Sequence, residues 1–216
     1  GTVFGKNTSA GVINVMTRRP SYTQSAEGEF TVGNFGEFGV SGAYNDALGE
    51  NAAFRVYAAK RWRDGVTDVN TGKGPRVETE DSNRDFNTVR GQLLLEPSDT
   101  LNINFIADYT SREENCCAGL TSVRSAAGAG PASIINALAG GNGVIATPDL
   151  ERRLAYANRS TEQDIKDKGI SAEVNWDTPW LGEATLTSIT SFRDWKSINA
   201  IDLDFTGADL LYRRAD

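Results

Sequence analysis

The chain has 216 residues, enough for one or two ordinary domains. Its apolar share of 39% is ordinary for a folded protein, its mean hydropathy of -0.40 is on the polar side, and its net charge of -7 argues against a nucleic-acid partner, which needs clustered Lys and Arg. No run of about 18 apolar residues occurs, which excludes a transmembrane helix but not a β-barrel, whose strands carry a weaker, alternating signal. The 22 Gly against 6 Pro suit many turns better than long helices. There is no His, no cofactor loop and no pair of carboxylates at a recognisable spacing, so no enzyme is expected. The adjacent Cys116 and Cys117 lack the spacing of zinc ligands and read as a loop feature, with their oxidation state open.

Taken in chain order, residues 1–20 do not read as a barrel strand. Gly1, Gly5 and Gly11 punctuate them, and Gly11–Thr17 forms one short apolar β segment that ends before Pro20. The start at Gly1, with no initiator Met and no charged leader, is expected to be a fragment boundary. From residue 27 onward, segments of about ten residues alternate in polarity. Phe38, Val40, Gly42 and Tyr44 share one face, opposite Gly39, Ser41, Ala43 and Asn45. Phe54, Val56 and Ala58 stand against Arg55, Tyr57 and Arg61. Val89, Gly91, Leu93 and Leu95 alternate with Arg90, Gln92 and Glu96. Leu101, Ile103, Phe105, Ala107 and Tyr109 lie opposite Asn102, Asn104, Asp108 and Thr110. Ile170, Ala172, Val174 and Trp176 lie opposite Ser171, Glu173 and Asn175.

The connections carry a second signal. Asp46–Glu50, Glu96–Thr100 and Asp177–Glu183 are short, whereas Asp64–Arg84 and Glu113–Lys168 are long and polar. Alternation of short and long connections has a reason in an outer-membrane barrel, where periplasmic turns are short and outer loops long. Trp62, Tyr109 and Trp195 fall near strand ends that lead into long connections, and Tyr44, Trp176 and Trp180 near short turns, as two interfacial girdles would require. Lys60, beside Trp62 on an otherwise apolar face, is placed to snorkel to the outer headgroups. Within the longest connection, Pro131–Ala139 followed by Gly140 and Gly141 has the start and stop of a short helix. Arg152, Arg153 and Arg159 lie among Asp149, Glu151 and Glu162, a mixed solvated surface more than an anion site. Asp202, Asp204 and Asp209 are too irregular for a calcium loop.

The opening string, Gly1-Thr2-Val3-Phe4-Gly5-Lys6-Asn7-Thr8-Ser9-Ala10-Gly11-Val12-Ile13-Asn14-Val15-Met16-Thr17, resembles the C-terminal end of the plug domain of TonB-dependent outer-membrane receptors. On that resemblance residues 1–20 are the end of a plug, with Gly1, Gly5, Lys6, Asn7, Gly11 and Asn14 as its motif, and residues 21–216 are the first part of the β-barrel. Lys6 and Asn7 are read as serving plug turns and plug–barrel packing, and no residue is assigned as a ligand contact. The fold class implied is all-β, an antiparallel transmembrane section of about seven or eight strands from a barrel of about 22.

The implied function is uptake across the bacterial outer membrane. Ligand binds from outside, energy arrives from the TonB–ExbB–ExbD complex, and outer-membrane lipid surrounds the barrel. A ferric siderophore is the leading substrate, with oligosaccharide, polyphenol or cobalamin as the alternative, and neither a cofactor nor a nucleic-acid partner is implied. Two other classes compete: a non-transporting outer-membrane barrel, and a soluble β-sandwich binding module. An open section cannot span lipid by itself, because its edge N–H and C=O groups would go unsatisfied, and it is expected to aggregate when expressed alone.

Overall fold

The computed structural model describes residues 15–72, 74–122, 134, 137, 150–178, 180, 182 and 184–216. The plug-motif positions Gly1, Gly5, Lys6, Asn7, Gly11 and Asn14 lie outside these residues. So does the expected short helix at Pro131–Ala139, apart from Ile134 and Ala137.

The described chain is all-β. Its strands are β1 (Ser25–Val32), β2 (Phe38–Ala47), β3 (Ala52–Arg63), β4 (Thr67–Asn70), β5 (Glu80–Asp81), β6 (Arg84–Ser98), β7 (Leu101–Asn115), β8 (Leu154–Tyr156), β9 (Glu162–Thr178), β10 (Ala184–Asp202) and β11 (Tyr212–Ala215). Eight of them form one sheet in the order β1-β2-β3-β6-β7-β9-β10-β11, antiparallel throughout. The remaining three form a small sheet, β5-β4-β8. The outer edge of β1 and most of the outer edge of β10 carry no partner strand among the described residues.

Register decides what the large sheet does with its side chains. One continuous row reads Tyr44, Val56, Gly91, Ala107, Ile170 and Phe192 across six strands. The neighbouring row, Phe54, Leu93, Phe105, Ala172 and Thr190, lies on the same face. A slip by one residue in any pair would send that strand's apolar set to the opposite side. Every apolar set read from the sequence therefore falls on a single face, which β1 extends with Ala26, Gly28, Phe30 and Val32.

The turns follow their local chemistry. Between β1 and β2, Phe35 and Gly36 both take positive φ, 60° and 62°, as a tight hairpin needs, and Gly33 N–H donates to Glu37 O at 3.0 Å. In β6 the ladder breaks between Leu95 and Ser98, where Pro97 has no N–H to give. The long connection after β7 is shorter than the expected Glu113–Lys168. Pairing continues through polar residues to Asn115 opposite Glu162, because the backbone ladder needs no apolar side chains. At one end of the sheet the connections are residues 48–51, 99–100 and 179–183; at the other they are 33–37, 64–83, 116–161 and 203–211.

The described parts of the three longest connections pack on one another as a cap. Strand β8 runs parallel to β4 and brings Ala155 beside Val69. Val69, Ala118, Ala155 and Ala157, with Leu120 against them, make a small apolar core. The approach is close: Gly72, at φ +58°, abuts Gly207, and a Cβ on Gly74 would run into the Asn158 carbonyl.

Candidate functional site

The large sheet has an inverted polarity. On its apolar face Phe30, Ile170 and Phe192 are 65%, 62% and 66% exposed. On the opposite face Asn45, Asn104, Gln92 and Arg55 are 1%, 3%, 7% and 9% exposed. A soluble sheet has these values the other way round, since apolar burial drives its packing.

The sheltered face is a lattice of ion pairs and amides. Asp108 accepts from Arg193 at 3.1 Å on both oxygens and lies 3.6 Å from Arg90. Arg193 also donates to Asp167 at 2.6 Å. Arg55 and Arg61 reach Glu27 and Glu29 at 3.3 Å and 3.5 Å. Arg90–Asp108 and Arg193–Asp167 join neighbouring strands, while Arg55–Glu27, Arg61–Glu29 and Arg193–Asp108 each reach across an intervening strand, so the long guanidinium stems tie the face together over three strands at a time. Gln92 Nε2 and Asn104 Oδ1 are buried here without a hydrogen-bond partner, polar groups turned inward with capacity to spare.

The segment before β1 crosses this face. Arg18 pairs with Glu27 on β1, and Arg19 donates to Glu173 on β9 at 2.7 Å. Asn45 fixes the exit: its Oδ1 accepts from Ser21 N–H at 2.9 Å, and its Nδ2 donates to Ser21 O at 2.9 Å and to Thr23 O at 2.8 Å. Tyr22 donates to Glu96 at 2.5 Å. The chain ahead of the sheet is thus anchored to the polar side at widely separated strands.

Of the six aromatic positions singled out, five lie on the apolar face or in the turn beside it. Trp62, Tyr109, Tyr44 and Trp176 are on the apolar face, and Trp180 stacks edge-on to Trp176 at 6.2 Å from the short turn. Trp195 is the exception: its register partner is Asp167, on the polar face. The two-residue period of a strand explains the difference, because Phe192, Asp194 and Lys196 take the apolar side. Lys60 lies on the apolar face beside Trp62, as expected, and pairs there with Asp85.

Beside its apolar core the cap also encloses a polar cluster. The Arg76–Asp81 pair, 3.0 Å apart, is fully enclosed. Arg76 also donates to Thr161 Oγ1 at 2.8 Å, Glu78 O at 2.9 Å and Glu80 O at 3.0 Å, while Asp81 accepts from the Thr161 hydroxyl and from Ala118 N–H at 3.2 Å. Nothing in the sequence spacing joins these three residues; only the fold does. Cys116 and Cys117 are bonded to each other at the exit of β7, and Cys116 N–H donates to Thr161 O at 2.8 Å.

Several of the charged residues singled out in the loops have structural partners. Arg159 forks onto Asp209 at 2.9 Å and 2.6 Å, which holds the Asp209 carboxyl below its ordinary pKa, and it lies over Tyr212 at 5.6 Å. Arg153 covers the ring of Phe35 at 4.6 Å, tying the cap to the first hairpin. Asp204 closes its own turn on Thr206, Leu210 and Leu211. Asp202 is 1% exposed and accepts N–H bonds from Asn158 and Arg159 at 2.8 Å and 3.2 Å. Burial, with Asp204 beside it, pushes its pKa up to about 6. Among the described residues no group of side chains could hold a metal ion, and no helix is long and apolar enough to cross a membrane. No family model matches the chain, and no solved structure matches it.

Proposed function

We propose that this chain is a section of a TonB-dependent receptor of the bacterial outer membrane, importing a scarce nutrient, with a ferric siderophore as the leading substrate. The observation that carries the reading is the inverted polarity of the large sheet. An apolar face left uncovered over seven strands suits hydrocarbon, and a sheltered face of ion pairs and amides suits the interior of a barrel. The unpaired edges of β1 and β10 support continuation of the sheet by further strands, since an open edge in lipid leaves backbone groups unsatisfied.

Two further features support the family within that class. The opening string Gly1–Thr17 resembles the end of a receptor plug, and the segment after it lies against the polar face, on the side where a plug sits. The longest connections gather at one end, as outer loops do, beside the short 33–37 hairpin, and the connections at the other end are all short. The cap then forms part of the outer mouth, and energy enters through the TonB–ExbB–ExbD complex.

The test is uptake of labelled ferric siderophore by the parent cell under iron limitation, with and without the gene. Loss of uptake on deletion, restored by complementation, is the expected result. Unchanged uptake with every chelate tried would sink the iron reading.

A further inference from the structure

The cysteine pair sits where the parts of the cap meet. Cys116 and Cys117 are bonded to each other, which closes a small ring around their shared peptide. The residues on either side of that ring hold the cap together. Asn115 N–H donates to Asn83 Oδ1 at 2.6 Å, and its carbonyl accepts from Ser82 N–H at 2.9 Å. Cys116 N–H reaches Thr161 O at 2.8 Å, and Ala118 N–H reaches Asp81 Oδ1 at 3.2 Å. Thr161 and Asp81 are the partners of the enclosed Arg76. Ala118 then enters the apolar core beside Val69, Ala155 and Ala157, and a Cβ on Gly119 would come within 2.8 Å of the Phe205 ring. Residues 115–119 thus join the connection 64–83, the stretch 155–161 and the connection 203–211 at one seam.

The backbone at the centre of the seam is held in an unusual conformation. Cys117 has φ 82°, where the Cβ of an L residue is crowded. Joined to its neighbour through sulfur, Cys117 is not free to turn away from it. This torsion sets the direction in which the chain leaves for Ala118, so the Ala118 N–H meets Asp81 only while the torsion is kept. Cys116 is half-buried and Cys117 exposed, which leaves the bond open to attack from solvent through Cys117.

We propose that the Cys116–Cys117 bond is a redox-sensitive clasp of the cap, closed when oxidised and opened by a dithiol. One thiolate of the dithiol attacks the Cys117 sulfur, the S–S bond breaks, and the Cys116 sulfur leaves and takes a proton. The second thiol of the reductant then displaces Cys117 from the mixed disulfide, and Cys117 takes the other proton. The dithiol ends as a disulfide, and the cysteine pair has gained its two electrons and two hydrogens. Freed from the ring, Cys117 turns back to negative φ, the Ala118 N–H leaves Asp81, and the seam loosens. The clasp is a property of the cap alone and does not depend on the large sheet lying in lipid.

The test is amide exchange on the full-length protein, with maleimide labelling to follow the thiols of Cys116 and Cys117. Dithiothreitol should free both thiols and speed exchange in β4, β5 and β8 on the order of tenfold, with the large sheet unchanged. Reoxidation should restore the slow rates. Cys116→Ser with Cys117→Ser should exchange fast from the start and ignore the reductant. Cys116→Ser with Cys117→Gly should stay close to the oxidised wild type, because glycine takes positive φ without the ring. Unchanged exchange in the wild type once both thiols are labelled would overturn the clasp, and so would a bond that dithiothreitol leaves intact. A Ser pair that exchanges as slowly as the oxidised protein, or that still responds to the reductant, would overturn it too.

Discussion

In the large sheet the exposed side chains are Phe30, Val40, Ile170 and Phe192, and the sheltered ones are Asn45, Arg55, Gln92 and Asn104. In the cap, Val69, Ala118, Ala155 and Ala157 are buried together in the ordinary way. Two regions of one chain thus follow opposite rules for apolar surface. The hydrophobic effect is the same in both, so the difference lies in what surrounds them. A cap that gathers its apolar residues inward is built for water. On the function proposed above, a sheet that turns them outward in register across its strands presents them to hydrocarbon.

The largest expected effect tests the cap half of this contrast. Arg76→Ala leaves Asp81 enclosed without its cation and should cost the cap about 3–5 kcal/mol. Amide exchange in the full-length protein should show lost protection in β4, β5 and β8 with the large sheet unchanged; equal loss in both regions would mean that they are not separate units. Next comes the sheet. Ala107→Arg, at the centre of the apolar face, should cost about 2–4 kcal/mol in urea unfolding from lipid bilayers. Ser171→Arg, on the polar face of the adjacent strand, should stay within about 0.5 kcal/mol. Equal costs on the two faces would break the reading of the apolar side as lipid-facing.

The smallest effect is one of pH, at the base of the cap well beyond the apolar rows. Asp202 has its folded-state pKa raised to about 6 from 3.8, so the fold favours its protonated form. Its stabilising contribution is fully present below about pH 4 and is lost as pH rises through about 6. Protease resistance of the connection 203–211 should therefore fall across that window, and Asp202→Asn should remove this part of the dependence. A slope of the same size in the Asn variant would place the titrating group elsewhere.

Sequence alone went far on the sheet because its signal is local. Each of the five strands read from alternation presents its apolar set to one side, and a period of two needs no knowledge of neighbours. The three short turns were legible for the same reason. Strand β10 was harder, because Ser188 and Thr190 thin its apolar set while Ile189 and Trp195 lie on the polar face. The cap was almost wholly illegible: β4, β5 and β8 are two to four residues long, too short to show a period.

By itself, then, the sequence determined the strand period, the turns and the exclusion of a membrane-crossing helix, all properties of neighbours along the chain. Only the tertiary structure decided that the apolar sets coincide on one face, since that depends on register between strands far apart in sequence. It alone brought Arg76 and Asp81 to Thr161, paired Cys116 with Cys117, buried Asp202 beneath Asn158 and Arg159, and set Lys166 opposite Lys196. Contacts of that kind come from loop closure and strand pairing, and no spacing along the chain encodes them.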